Sequence, residues 1–376
     1  ADNTSTRWGK FRPYILFGSV PALIMIILCF TSPDLSDTGK FYWALFTYIT
    51  FTTLYTIIAI PVGSLIPAMT QDRDERTSLA SFRYLGASSG SITVAVLTLP
   101  LVGLFSSPQV GFPIVVGCLA VLGAIFAFLC FLNTKEVYSK PYEESIGVKK
   151  VTKMVFNNYP LHFVILALLT TWVANNTKQL TVVYFVKYNL QLEAYFSLIL
   201  LGVILQIMFG AYLINVIKHK FEKKTLFMIG TFLYVITDLI IYYITGYENF
   251  WLLAFIATFG FIGFGMAGVM AWSMIADTIE YGEWKSGFRA EGVLNAAHVF
   301  VFKLSVGFSA WLAGVILDST DYVANASQQT PETLNGLFIM GYIFPAVAGT
   351  IAIIVTYFNK YDSNFYEKIF TELKQR

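Results

Sequence analysis

The sequence predicts an all-α protein of membrane-spanning helices, and three observations predict it. Hydrophobic residues make up 56% and charged residues 13% of the 376-residue chain, whereas soluble proteins carry about 25% charged residues. Long apolar runs recur throughout, and a helix needs roughly 20 apolar residues to cross a bilayer. Runs such as 114–132 show no period-two alternation, which a transmembrane β-barrel would require in segments of about ten residues.

Ten spanning segments follow in order. The first, 13–31, begins after the polar stretch Arg7-Trp8-Gly9-Lys10-Phe11-Arg12-Pro13. Segment 41–69 ends at the charged loop Gln71-Asp72-Arg73-Asp74-Glu75-Arg76, and segment 78–105 carries Arg83 a few residues inside. Segment 111–133 leads into a long basic linker, 134–158. Segment 160–186 is the most polar, with Trp172, Asn175, Asn176, Lys178 and Gln179. Segments 193–216 and 225–246 flank the basic loop Lys218 to Lys224, and the second of them contains Asp238. Between 250–275 and 293–317 lies a dense polar island, Asp277-Thr278-Ile279-Glu280-Tyr281-Gly282-Glu283-Trp284-Lys285 with Arg289 and Glu291, expected to be a loop. His298 and Lys303 fall inside 293–317, and 336–359 closes the set.

Lysine and arginine orient the bundle, because positively charged loops stay in the cytoplasm. Twenty lie before the first segment, in alternate loops and after the last segment, while the opposite loops hold only Lys40 and Lys187. Both ends of this chain are expected to be cytosolic. The three cysteines show no pairing pattern, so no disulfide and no metal site is expected. The chain opens without Met and shows no signal peptide.

An internal repeat divides the chain. Lys10-Phe11 and Lys220-Phe221 stand 210 residues apart, and Asp72 and Asp277 stand 205 apart. Two loop pairs at nearly one offset indicate parallel repeats: a half-bundle over 1–133, the linker 134–158 and a six-helix half-bundle over 159–376. Two helices precede the second copy of the basic loop but none precedes the first. By that symmetry the chain is expected to lack about 55 to 60 residues carrying two helices.

Several stretches resemble one family: Arg7 to Tyr14; Tyr55-Thr56 with Ile60-Pro61; Asp72-x-x-Glu75-Arg76 with Phe82-Arg83; and Ala276-Asp277-x-x-Glu280-Tyr281-Gly282-Glu283-x-Lys285 with Arg289-x-Glu291. The family is that of the glycoside-pentoside-hexuronide cation symporters, the melibiose-permease group of the major facilitator superfamily. The resemblance runs along essentially the whole chain. It implies a major-facilitator-type bundle with ten of twelve helices present, and a sugar and a coupling cation bound between the halves near the midplane. Tyr55 would stand on the sugar side and Thr56 on the cation side. Ala59 and Gly63 replace an Asp and a Trp of the galactoside-binding pattern, which argues against melibiose. Lys303 matches a lysine that links sugar and cation binding.

The residues themselves add detail. An ammonium in mid-membrane costs roughly 2.5 to 3.5 kcal/mol on insertion scales, which favours a functional Lys303. His298, about 140° around the helix from it, either lines the cavity or packs. Asn175, Lys178 and Gln179 are spaced to share a helical face, with Trp172 a turn away. Hydroxyls and an apolar ring face of a pyranose call for such a mixture. Lys178 could pair with a carboxylate, including that of an anionic substrate, or snorkel outward. Arg83 either snorkels or serves as an inner-gate or substrate-side cation, and Asp238 is expected to be a paired structural Asp. Asp72, Arg73, Glu75, Arg76, Asp277, Glu280, Lys285 and Arg289 are expected to form inner-face ion pairs between the halves.

The leading reading is cation-coupled symport by a monomer in the bacterial inner membrane, with Na⁺ or H⁺ as coupling ion, no organic cofactor and no nucleic-acid partner. No G-x-x-x-x-G-K-[ST] loop for nucleotide occurs. An intramembrane prenyltransferase-like enzyme is the rival, but Arg73 and Arg76 would compete for the acids that must hold Mg²⁺. A non-transporting sugar sensor on the same scaffold is the third reading.

Overall fold

The structure is a computed structural model. It describes the backbone of residues 6–70, 73–137, 148–218, 220–287, 291–324, 326, 328–360 and 363–375, with some side chains inside the helices left aside, those of 73–78 and 291–295 among them. The helices are α1 (Arg12–Cys29), α2 (Asp37–Met69), α3 (Arg73–Val102), α4 (Pro108–Asn133), α5 (Val148–Asn157), α6 (Tyr159–Tyr184), α7 (Phe196–Ile217), α8 (Lys223–Ile240), α9 (Phe250–Ser286), α10 (Glu291–Ser319), α11 (Pro331–Phe338), α12 (Phe344–Phe358) and α13 (Ser363–Gln375). Among the described residues, eight helical spans are long and apolar enough to cross a membrane. The 30-residue α3 and 26-residue α6 add two rods of spanning length with more polar content. The chain divides into two compact units, Ala1–Ser145 and Ile146–Arg376.

Local chemistry sets most helix ends. Ser36, Asn158, Asn249 and Thr330 each accept a backbone N–H of the first turn, satisfying a donor the helix leaves open. Pro108, Pro160 and Pro331 occupy first-turn positions where the missing N–H costs nothing. α9 runs 37 residues and stops at Gly287 with φ 78°, a left-handed cap open to glycine. The polar island is therefore helical over Asp277 to Lys285, not a loop. Nothing in it breaks a helix, and Ile275, Thr278, Ile279 and Gly282 are buried in turn at helical spacing while Lys285 is exposed. At about 55 Å, α9 outruns a hydrocarbon core of about 30 Å. The linker likewise contains α5, whose Met154 packs with Leu161 and Ile279.

In the first unit α1 packs on α2 and α4 around Phe11, Ile15 and Leu65. The second unit has a larger core on α6, α8, α9 and α12, including Leu168, Phe227, Met270 and Ala352. Helices approach closely there because glycines face each other: a Cβ on Gly230 would lie 2.6 Å from the Gly263 carbonyl oxygen, and one on Gly263 2.5 Å from that of Gly230. Small-residue contacts of this kind let membrane helices associate without a hydrophobic driving force. Phe17, Phe46, Trp251 and Trp311 are exposed, as suits surfaces meant for lipid.

Three stretches of the second unit adopt π-helical winding: Phe185–Asn189 after α6, Ile241–Thr245 after α8, and Ile339–Ile343 between α11 and α12. They meet in one cluster of Phe185, Ile241, Phe338 and Tyr342. π-Segments are rare and recur at functional sites.

Candidate functional site

Beside that cluster lies a buried ion pair. The Lys178 ammonium of α6 meets the Asp238 carboxylate of α8, with side-chain exposures of 10% and 1%. Three rings surround the ammonium, with centroids at 4.6 Å for Tyr234, 5.1 Å for Phe261 and 5.1 Å for Tyr342. Tyr234 donates its hydroxyl to the Ala174 carbonyl at 3.4 Å. Asp238 is paired, as its mid-helix position requires. Its second oxygen, Oδ2, has no hydrogen-bond partner among the described residues.

A second polar seam joins α6 to α10. Asn176 donates to Ser305 Oγ at 3.0 Å, Thr177 to Ser309 Oγ at 3.1 Å, and Ser309 to the Val173 carbonyl at 3.2 Å. The Trp172 ring lies nearly perpendicular to those of Phe302 and Phe264, with centroids 5.0 and 6.2 Å away, and its Nε1 has no hydrogen-bond partner among the described residues. The single face expected of Asn175, Lys178 and Gln179 is divided in the structure: Asn175 and Lys178 are buried, Gln179 is exposed, and Lys178 is engaged by α8. Asn176 was noted in the sequence without a role, and Ser305 and Ser309 were missed. The signal was there in two serines four residues apart on α10, hence on one face.

His298 is buried with its ring 4.1 Å from that of Trp272, and its Nδ1 has no hydrogen-bond partner among the described residues. Lys303 is half-buried. In the first unit Tyr55 is exposed, and Thr56 donates to the Thr52 carbonyl at 2.6 Å. Arg83 reaches α2: a Cβ on Gly63 would lie 3.9 Å from its Nη1. Thr56 and Gly63 lie seven residues apart and so share a helical face, which places the hydroxyl and the guanidinium on one side of α2.

At the α9 end of the second unit, Lys223 donates to both carboxylate oxygens of Asp277 at 2.6 and 2.8 Å. Trp284 Nε1 donates to Glu372 at 2.7 Å, and Lys285 to the Asn157 carbonyl at 3.1 Å. Glu280 is half-buried. Asp72 and Arg289 lie outside the described residues, as do the side chains of Arg73, Glu75 and Arg76. Among the described residues no group of three or more His, Cys, Asp or Glu is placed to hold a metal ion.

The basic loops that marked the repeat do corresponding work in each unit. Arg12 donates to the Phe131 carbonyl at the end of α4 at 2.5 Å, and Lys224 to the Tyr357 and Asn359 carbonyls at the end of α12 at 2.9 and 2.5 Å. Each cation satisfies carbonyls that a helix C-terminus leaves open. In the first unit Glu136 also accepts the N–H groups of Lys10, Phe11 and Arg12 at 2.7, 2.8 and 2.9 Å.

Residues 1–363 match the family described as MFS/sugar transport protein. The chain belongs to this family of sugar transporters and symporters. It is 34% identical over 374 residues to an uncharacterized symporter of Bacillus subtilis, covering 98% of this chain and 80% of that one. It is 31% identical over 381 residues to the isoprimeverose transporter of Lactiplantibacillus pentosus, covering 100% and 79%. In fold it is similar to the Escherichia coli fucose:proton symporter, with TM-score 0.55 at 11% identity over 93% of this chain and 84% of that one. These are transporters, and the enzyme reading is set aside.

Proposed function

We propose that this protein is a secondary active transporter that carries a glycoside, pentoside or hexuronide together with Na⁺ or H⁺ across a bacterial inner membrane by alternating access, with both ends of this chain cytosolic. The match of nearly the whole chain to a sugar-transport family carries the reading. It is supported by the similarity over the whole chain to the isoprimeverose transporter.

Within this reading Tyr55, Trp172, Asn175, Gln179, His298 and Lys303 serve the sugar, while Thr56 and Lys303 serve coupling. Trp172 offers a ring face and a donor without a partner among the described residues, which is what a pyranose needs. Asp72, Arg73, Glu75, Arg76, Arg83, Asp277, Glu280 and Arg289 form the inner gate, and Lys285 leaves that set because its ammonium meets the Asn157 carbonyl and the Tyr281 hydroxyl. Lys178 leaves the set, because Asp238 already compensates its charge, and with it goes the anionic-substrate argument drawn from that lysine.

The test is uptake of a panel of labelled glycosides, pentosides and hexuronides into vesicles bearing the full-length protein, under imposed sodium or proton gradients. The reading requires concentrative uptake of at least one substrate under one gradient. Uptake that only equilibrates, whichever gradient is imposed, would overturn it.

A further inference from the structure

The lysines where α5 meets α9 surround a space instead of meeting carboxylates. Lys150 and Lys153 of α5 and Lys285 of α9 line a cavity of about 360 Å³ with Asn157, Tyr281 and Ser286. No acidic residue lines it, and none of the three lysines has a carboxylate partner among the described residues. Two acids at this end of α9 meet other partners, Asp277 the ammonium of Lys223 and Glu372 the indole N–H of Trp284.

Lys285 is held ready. Its ammonium donates to the Asn157 carbonyl at 3.1 Å and the Tyr281 hydroxyl at 3.3 Å, and lies 4.8 Å from the Tyr159 ring centroid. Neutral acceptors and a ring face fix its position without cancelling its charge. Three like charges facing one cavity repel each other, so the arrangement favours an anion bearing several acceptor oxygens, as a phosphate does.

The surroundings decide where that phosphate comes from. α5 packs one side on Leu161 and Ile279 through Met154. It leaves Phe156 69% exposed, and Tyr159 just beyond it 52% exposed. α6, a rod of spanning length, starts at Tyr159, so the cavity lies level with the start of that rod. Basic side chains beside unshielded aromatic rings on a short amphipathic helix are the pattern of a segment lying in the lipid interface. Basic pockets at that depth suit lipid headgroups.

We propose that the cavity between α5 and α9 binds the phosphate of an anionic phospholipid through Lys150, Lys153 and Lys285. The bound headgroup ties the linker helix to the end of α9.

Native mass spectrometry of the purified protein, released from detergent with phosphatidylglycerol or phosphatidylcholine of matched chains, tests this. Wild type retains phosphatidylglycerol preferentially. Lys150→Gln/Lys153→Gln loses that preference by about tenfold or more, since each lysine near the surface is worth roughly a factor of five. Lys150→Arg/Lys153→Arg keeps it, and so does Lys218→Gln/Lys220→Gln, which removes the same charge from another loop. Equal thermal unfolding of the four proteins shows that binding, not folding, is being read. The proposal is overturned if the glutamine pair at 150 and 153 retains the preference, or if the control pair loses it equally. Displacement of the lipid by millimolar inorganic phosphate also overturns it, because the site then serves a soluble phosphate.

Discussion

Lys178 and Asp238 offer the sharpest perturbation, because the structure assigns different consequences to removing each partner. Taking one member from a buried pair costs about 3–5 kcal/mol, since the other charge is left uncompensated out of water. Lys178→Met leaves a 1% exposed carboxylate whose Oδ2 already lacks a partner among the described residues, so a loss of about 5 kcal/mol is expected. Asp238→Leu leaves an ammonium among three rings at 4.6 to 5.1 Å. Cation–π attraction, about 0.5–2 kcal/mol where water is excluded, offsets part of the penalty. That loss should lie nearer 3 kcal/mol.

The double variant Lys178→Met/Asp238→Leu removes both charges and fills the space with apolar atoms. It should come within about 1 kcal/mol of wild type, as replaced buried pairs commonly do. The assay is equilibrium unfolding in mixed micelles, read as a double-mutant cycle. Single variants as stable as wild type would refute the reasoning. So would a double variant whose loss equals the sum of the two singles, because no coupling would then exist.

Further outcomes follow from other sites. Gly9 has φ 104°, and a Cβ there would lie 2.6 Å from the Glu136 carboxylate; Gly9→Ala should destabilise the protein by about 2–3 kcal/mol in the same unfolding assay. Glu136→Gln replaces a charged acceptor of three N–H groups and should cost about 1–3 kcal/mol, with little dependence on substrate. Lys303→Ala should abolish gradient-driven accumulation in vesicles at equal expression, and accumulation like wild type would remove Lys303 from coupling. Lys223→Ala breaks a partly exposed pair with Asp277; its unfolding should shift by no more than about 1 kcal/mol.

How far the fold was legible depends on the scale of the signal. Spanning rods declare themselves through composition, because lipid tolerates only helices or closed barrels, and ten were readable even where Asn175, Asn176 and Lys178 dilute α6. The end of α9 was not. A run of charges from Asp277 to Lys285 looks like a loop when polarity alone is read, yet its buried positions repeat at helical spacing and only Gly287 stops it. The repeat was legible as matched basic loops, but its physical content was not. That Arg12 and Lys224 each close a helix C-terminus depends on chain segments more than 100 residues away. The Lys178–Asp238 pair was half legible: each residue demanded a partner, and only the packing of α6 on α8 could name it.

The three cations inside the apolar segments differ in what a transport cycle could ask of them. A charge that changes partner during the cycle needs somewhere to go at small cost, and an aqueous surface supplies that. Lys178 has none nearby. It is 10% exposed, enclosed by three rings and bound to a carboxylate that is itself buried. Moving it would cost several kcal/mol, so its role is to hold α6 against α8 where the π-helical segments meet. Arg83 is exposed and lies beside the bare backbone of Gly63, and Lys303 is half-buried on α10. Of the three cations, these two lie where a change of partner costs less than it would for Lys178. The stabilised double variant at 178 and 238 separates the roles: it should keep the substrate preference of wild type, whereas a changed preference at restored stability would return Lys178 to the substrate path.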